Sequence, residues 1–363
     1  MTQQKGQLAR PIFAKIAPHE YLVANLARAN TEGSEVKGTR PNGRTPDEAR
    51  DFDVHTGSLS QAHGSAAVRL GKTRVICGVR GEILPVTNIP QYRPSTITPE
   101  QAGTSEAESD NRRQLRDYDL LVPNLELATG SAPEFLPGGP PSVLAQVLST
   151  RLHALLHSSG LVDAEALKVW HTPRPSASEG DEDLEVDDEE EEEDRTPEIK
   201  AYWTLYIDLL FLSFDGNPLD AAWAAIVAAL RGTRLPHARW DADRDRVVCS
   251  PPSVTPTPPL TLRGLPVAST AVVLVENRKR QQRQSSEADS AHWILEDPDR
   301  LEESQCHETV TVVVDCSNGS GEKTVVRALS KSGGVLVGPQ ELHALVASAE
   351  TRWASLSKAL QGP

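Results

Sequence analysis

Three stretches of this 363-residue chain carry residue types at spacings that can do chemistry. Gly71-Lys72-Thr73 has the ending of a phosphate-binding loop, whose backbone N–H groups curl around a phosphate. Such a loop places its first glycine with four residues between it and the second. That position is Ala66, and Gly64 stands too early, with six residues between it and Gly71. Ala66, Val68 and Leu70 alternate with Ala67 and Arg69, and Val75, Cys77 and Val79 share one face of a second alternating run. Two period-two runs around Gly71-Lys72 predict a β-hairpin and exclude a nucleotide loop. The second stretch is His153 and His157, spaced i, i+4 as zinc-binding histidines can be. No glutamate of the H-E-x-x-H kind accompanies them and no third ligand is evident. Cys306-His307 and Cys316 also lack a fourth partner, so neither a metal nor a cofactor is expected. The third is Phe214-Asp215-Gly216-Asn217, where Asp215 can be a general acid or simply the aspartate of a turn. One carboxylate without phosphate donors is no catalytic site, which favours the turn. Asp208, in an apolar run, is expected to pair at a strand end or an interface.

The elements that must position these residues follow from periodicity. Residues 18–29 have helical spacing, and a linker with Gly33, Gly38, Pro41, Gly43 and Pro46 follows. Residues 95–114, rich in Ser, Thr, Glu and Gln, read as a solvated insertion. Residues 143–156 return to helical period through Val143, Val147, Leu148, Arg151, Leu152 and Leu155. Residues 202–217 read as a long strand buried on both faces. Asn217 then reads as an N-cap, Pro218 as a first-turn proline and Asp220 as a favourable first-turn charge. The helix beyond them is apolar all round and stops at Gly232, a suitable C′ residue. Strands are predicted over 267–275, 309–315 and 324–329, the last two joined by a turn over 317–322. A final helix over 341–360 carries the stripe Leu342, Leu345, Val346, Ala349, Trp353, Leu356 and Leu360. The whole is α+β: an extension with a helix over 1–39, then one domain over 40–360 interrupted near 95–114, 171–197 and 278–290.

Charge narrows the function classes. The net charge is -14, but Asp181–Asp194 holds 12 acidic residues in 14; setting these aside leaves -2 for the rest. Neither a strongly basic nucleic-acid binder nor a uniformly acidic protein is indicated. A like-charged run without apolar anchors cannot offset its ordering entropy, so the segment around it is expected to be disordered. The four cysteines, Cys77, Cys249, Cys306 and Cys316, show no paired spacing, and no signal-peptide core or membrane-length apolar run is present. A reducing compartment, cytosol or nucleus, is the expectation; Arg278–Arg283 reads as a solvated basic loop before it reads as an import signal.

At this point an ordered set of motifs resembles a known family. Arg40-Pro41-Asn42-Gly43-Arg44 resembles the R-x-D-G-R opening of the RNase PH family. Gly57-Ser58-Leu59, Gly64-Ser65-Ala66 and Gly71 through Val75 resemble its first β-meander. Asp215-Gly216 before an alanine-rich helix resembles its strand-to-helix junction, and Pro266-Val267-Ala268 its late strand. The resemblance implies an RNase PH-like fold, with β-meander sheets packed on central helices. It further implies a ring subunit of the eukaryotic RNA exosome, from the branch without catalytic residues. Active relatives carry Asp-(Gly/Ala)-Gly-(Ser/Thr)-Arg at the junction; here Asn217-Pro218-Leu219 follows Asp215-Gly216, so hydroxyl and arginine are missing. The loop over 129–142, where active relatives carry arginines, has neither Arg nor Lys. The partners implied are other RNase PH-like subunits in a hetero-hexameric ring, RNA-binding cap subunits, an associated 3′–5′ exoribonuclease and RNA in the central channel. Nucleus, nucleolus and cytoplasm are the implied locations, and Arg112, Arg113 and Arg116 the nearest approach to an RNA-contacting patch. Two other readings stay open: an active phosphate-dependent exoribonuclease, and an acidic-tract chaperone for basic proteins.

Overall fold

The computed structural model describes residues 10–27, 38–94, 104–172, 197–251, 253, 255–276, 292–317, 324–334 and 337–361. The insertions expected around 171–197 and 278–290, and the turn over 317–322, fall almost entirely outside these residues.

The alternating runs around Gly71 form the hairpin that their period requires. Strand β2 (Gly64–Leu70) pairs antiparallel with β3 (Thr73–Pro85), Leu70 opposite Thr73 and Ala66 opposite Cys77, with Gly71 at φ 59° in the turn. Strand β1 (Phe52–Thr56) adds to β2, and β3 pairs antiparallel with the 16-residue β6 (Glu198–Ser213). Two further strands share the other edge of β6. One is β4 (Leu121–Leu127), parallel to residues 205–211; the other is β5 (Lys168–His171), antiparallel to residues 198–202. A small hairpin, β7 (Ala238–Asp241) and β8 (Arg246–Cys249), forms a separate two-stranded sheet that packs beside β5, with Ala238 and Val247 against the core. The second large sheet has the order β10-β9-β11-β12, where β9 is Val267–Val275, β10 His292–Glu296, β11 Glu308–Asp315 and β12 Val325–Ser332. The α+β expectation holds.

Helices fill the space between and around these sheets. Short α1 (Arg10–Ile16) precedes α2 (Pro18–Ala27), whose Leu22 and Leu26 pack with Val272, Leu274 and Leu295 of the second sheet. Then come α3 (Ser105–Asp117), α4 (Val143–Ser159), α5 (Pro218–Arg231), the short α6 (Arg300–Gln305) and α7 (Pro339–Gln361). Helix α5 lies against β2 and β3 on one side and β9 on the other, and every residue from Pro218 to Leu230 is buried. Its alanines permit that double approach: a side chain at Gly64 would place a Cβ 2.6 Å from the Ala229 carbonyl oxygen and 2.1 Å from Thr233 Oγ1. Gly64 is therefore a contact point between hairpin and helix, where no larger residue fits.

Four expectations need correction. Residues 105–114, expected to be a solvated insertion, belong to α3. Thr104 caps it, accepting from the Ala107 N–H at 3.2 Å, and Ala107, Asn111, Gln114 and Leu115 are buried. Few apolar residues suffice because Ala107 and Leu115 share one side of the helix with the two buried amides. In α4 the buried stripe is Ala145, Leu148, Leu152, Leu155 and Leu156, while Val143 and Val147 face solvent. Strand β6 is buried on both faces only through its first half; Asp208 and Leu212 are exposed in the second. Gly232 keeps a right-handed backbone, φ −86°, and ends α5 by donating its N–H to the Ala228 and Ala229 carbonyls.

The centre of this packing is Trp223, fully buried, with its indole N–H donating to the Pro266 carbonyl at 2.9 Å. Trp223→Ala removes the largest buried side chain of α5 and is expected to cost about 3–5 kcal/mol in urea unfolding. A loss under about 1 kcal/mol would show that α5 is not the core element described here.

Candidate functional site

The junction between β6 and α5 is built by hydrogen bonds that consume its own backbone. The buried Thr73 hydroxyl, from the first residue of β3, accepts from the Asp215 N–H at 3.0 Å and donates to the Gly216 carbonyl at 2.9 Å. Gly216 has φ 81°, and a Cβ there would meet the Asp299 carbonyl carbon at 2.5 Å, so only glycine serves. The Asn217 N–H donates to Glu303 Oε1 at 2.7 Å, and Pro218 has no N–H to offer. Asn217 is not the side-chain N-cap that its position suggested. It sits in the left-handed region, φ 50°, and its amide donates instead to Asp220 Oδ2 at 2.8 Å and Asp297 Oδ1 at 2.6 Å. The Asp215 carboxylate is about one-third exposed and stands 4.0 Å from Arg50.

Arg50 also binds the junction backbone, its Nη1 donating to the Asp215 carbonyl at 3.0 Å, but its main partner is Asp297. It grips Asp297 with Nε at 2.7 Å and Nη2 at 2.9 Å, while its backbone N–H donates to the same carboxylate at 2.8 Å. Arg44 adds a contact at 3.2 Å, and Arg352 of α7 lies 3.7 Å from both Asp297 and Asp220. Burial alone would push the Asp297 carboxyl up; the hydrogen bonds from Arg50 and the charge of Arg352 outweigh it and hold the group far below the usual carboxylate range. Asp220 is fully buried and receives both the hydroxyl and the N–H of Thr270; burial pushes its carboxyl up despite Arg352. Burial likewise pushes Glu303 up to about 8. The favourable first-turn charge expected of Asp220 is thus spent inside the core.

Arg40 and Arg44, the outer residues of the opening motif, belong to the same network. Buried Arg40 donates to the Glu296 carbonyl at 2.5 Å, to the Pro46 carbonyl, and at 3.5 Å to Glu302. Asn42 donates to Asp299 at 2.9 Å, and Asp299 forms a reciprocal capping box with Glu302 at the start of α6. Gly43 closes the motif's turn by donating to the Arg40 carbonyl. Gly57 donates to the Ser65 carbonyl, and the Ser65 hydroxyl accepts from the Leu59 N–H, so these residues shape the β1–β2 connection. Every one of these motif residues has an internal structural partner.

Other candidates disperse. Phe135, from the loop that lacks cations, packs edge-on against Phe214 at 5.7 Å, and Glu134 ties up Arg300 at 3.1 Å. Arg151 donates to Thr311 of the second sheet at 2.9 Å, and Thr311 in turn contacts Thr270, the partner of Asp220. Arg113 is paired with Asp110 on α3, Arg116 lies 4.0 Å from Asp117, and Arg112 lines a shallow pocket with Glu108, Asp163 and Arg263. These three arginines do not adjoin the junction network. Asp208 is exposed and accepts from Asn124 at 3.2 Å. Cys77 is buried, and burial pushes its thiol up. The histidine pair differs from its expectation: Asp119 supplies the third ligand-type atom beside His153 and His157.

Two curled sheets on a buried alanine-rich helix, with the hairpin and glycine junction at one end, define an RNase PH-type domain. The 3′ exoribonuclease family, domain 1 (RNase PH), matches residues 48–236, just over half the chain, and the chain belongs to that family. It is 29% identical over 349 residues to the exosome complex component rrp43 of Schizosaccharomyces pombe, covering 94% of each. Residues 212–230 and Ser332-Gly333-Gly334 themselves resemble the fungal exosome subunit numbered forty-three, in agreement with that match. It is also 29% identical over 219 residues to the exosome complex component Rrp42 of Methanothermobacter thermautotrophicus, covering 60% of each. Its fold is similar to a chain of the Archaeoglobus fulgidus exosome with RNA bound to the active site, TM-score 0.59 at 23% identity, covering 96% of this chain and 98% of that one. An archaeal exosome core gives TM-score 0.56 at 21% identity with the same coverage.

Asp297→Asn is expected to cost about 3–5 kcal/mol at pH 7, because it leaves buried arginines without their counter-charge. A depressed carboxyl contributes stability above its unfolded pKa, near 4, and loses it as pH falls through the folded value. The gap between wild type and variant in thermal unfolding should therefore narrow below about pH 4. A gap that stays constant from pH 7 to pH 3 would contradict the network.

Proposed function

We propose that this chain is a non-catalytic structural subunit of an RNA exosome ring, supporting 3′–5′ processing and degradation of RNA carried out by an associated exoribonuclease. One observation carries the proposal. At the junction where the family's active members hold phosphate and RNA, this chain lacks the hydroxyl and the arginine, and the Asp215 N–H, the Asn217 N–H and the Arg50 guanidinium are taken up internally. Phosphorolysis needs donors for inorganic phosphate, cations for the RNA backbone and an acid for the departing oxygen. Asp215 alone supplies at most the last of these.

Assembly is supported by what the chain leaves exposed. Leu136, Val143 and Val147 present apolar side chains on the loop and first turns of α4, and Val326 and Leu329 do so on the edge strand β12. Apolar side chains beside an open strand edge suit lateral pairing with related subunits. The relatives named as exosome components support the same reading. Its partners would be RNase PH-like neighbours in a six-membered ring, cap subunits and RNA in the channel, with residues 40–360 as the ring-forming domain. RNA contact would be electrostatic and sequence-independent, with Arg112 and Arg116 the most exposed candidates on α3. The proposed locations are nucleus, nucleolus and cytoplasm.

The test couples affinity purification of the tagged chain from its host with a phosphorolysis assay on the isolated chain. Co-purification of other RNase PH-like chains, with no phosphate-dependent release of nucleoside diphosphates by the isolated subunit, is expected. RNA shortening by the chain alone that depends on phosphate and is lost in Asp215→Asn would overturn the non-catalytic assignment.

A further inference from the structure

The turn between α3 and β4 brings Asp119 against two histidines of α4. Asp119 sits at φ 49° immediately before the buried Leu120, which fixes where its carboxylate emerges. His153 and His157 are one turn apart on α4, so their rings share a face, with centroids 4.4 Å apart. The two Nε2 atoms approach to 3.2 Å, and His153 Nε2 lies 3.3 Å from Asp119 Oδ1. All three ligand atoms lie within 4.8 Å of one another.

Hydrogen bonding accounts poorly for this arrangement. Three lone-pair-bearing atoms converge on one region, and a proton on His153 Nε2 must be shared between the carboxylate and the second imidazole. The two separations, 3.2 and 3.3 Å, are longer than the usual 2.9–3.0 Å of an N–H donor and its acceptor. They match a different object. Ligands on a tetrahedral zinc at about 2.0–2.1 Å stand about 3.3–3.4 Å from each other. A cation at the centre would also lie beside the last turn of α4, where the helix carries its partial negative charge.

We propose that Asp119, His153 and His157 form a binding site for one divalent transition-metal ion, zinc by its ligand set, that clamps the α3–β4 turn to α4. Imidazole nitrogen and carboxylate oxygen are both ordinary zinc ligands, and i, i+4 histidines on a helix are a standard way to supply two. His153 and Asp119 are each about half exposed, so the fourth position opens to water or to a group from a neighbouring chain. The nearest cation, Arg116, is exposed and directed at Asp117, 4.0 Å away. The site is distinct from the β6–α5 junction, shares no residue with it, and stands whether or not the chain is catalytic.

The experiment uses the untagged full chain, stripped with chelator and dialysed against zinc, with bound metal read by atomic emission and cobalt(II) as a spectroscopic probe. One zinc per chain is expected, with the visible bands of tetrahedral cobalt and a rise in thermal midpoint on zinc addition. His153→Gln, at a half-exposed position that the fold tolerates, should weaken zinc binding about 100-fold and abolish the cobalt bands with an unchanged circular dichroism spectrum. His157→Gln and Asp119→Asn should act in the same direction. Substoichiometric zinc on the wild-type chain would overturn the proposal. So would stoichiometric zinc undiminished in His153→Gln, which would place the metal elsewhere, for example on the cysteines.

Discussion

Asp297 is the carboxylate on which the arrangement of this molecule depends. It is 1% exposed and takes a left-handed backbone, φ 46°, at the end of β10. Its oxygens receive Arg50 from the segment entering β1, Arg44 from the opening motif and Asn217 from the β6–α5 junction, with Arg352 of α7 close by. Arg44 and Arg50 share one stretch, but that stretch, the junction and α7 are remote from one another in sequence, and one buried charge draws all three to a single point. Burying it unpaired would be prohibitive; burying it among charge-assisted donors makes it a device that tolerates only one relative placement of the two sheets.

That placement is what puts α5 between β2–β3 and β9. The helix itself offers alanine where the backbones come closest and Trp223 where there is a gap to fill, so its packing is dictated by distance between sheets. The opening motif, which reads as a functional signature, is in this light a clamp. Arg40, Asn42 and Arg44 spend their donors on residues 296–302, and the reciprocal capping of α6 by Asp299 and Glu302 presents the acceptors. The same arginines that would suggest an anion site from composition are internal structure.

How much of this was legible in the sequence can be judged residue by residue. The hairpin around Gly71 and the buried helix after Asn217 were legible because local period and turn chemistry determine them. The missing arginine at the junction was legible because an absent residue needs no geometry to be noticed. The Asp297 network was not, since directly bonded partners in it lie as far apart as Arg50 and Arg352, 302 residues, where the guanidinium donates to the backbone carbonyl. A signal did exist. Arg352 falls in register with Leu345, Ala349 and Leu356 on the buried side of α7, and a charge in an apolar stripe demands a buried partner. Helix α3 escaped because composition was weighed over its cap, Thr104, and over the spacing of Ala107, Asn111, Gln114 and Leu115. Asp119 escaped as a neighbour of the histidines for the same reason as Asp297: no pattern along the chain links a turn residue to a helix more than thirty residues on.

The Thr73 hydroxyl does to the Asp215 N–H of the junction what a bound anion does elsewhere. A phosphate at a strand-to-helix turn is held by the turn's backbone N–H groups. Here the Asp215 N–H already has an oxygen, from Thr73, and the Asn217 N–H already has one, from Glu303, both supplied by the chain itself. The junction is self-liganded. Grafting an arginine and a hydroxyl onto it would add cations and donors around a turn whose Asp215 and Asn217 N–H groups are already taken. Seating an anion on those two N–H groups would require displacing the oxygens of Thr73 and Glu303, and with them part of what holds β3, α5 and α6 together.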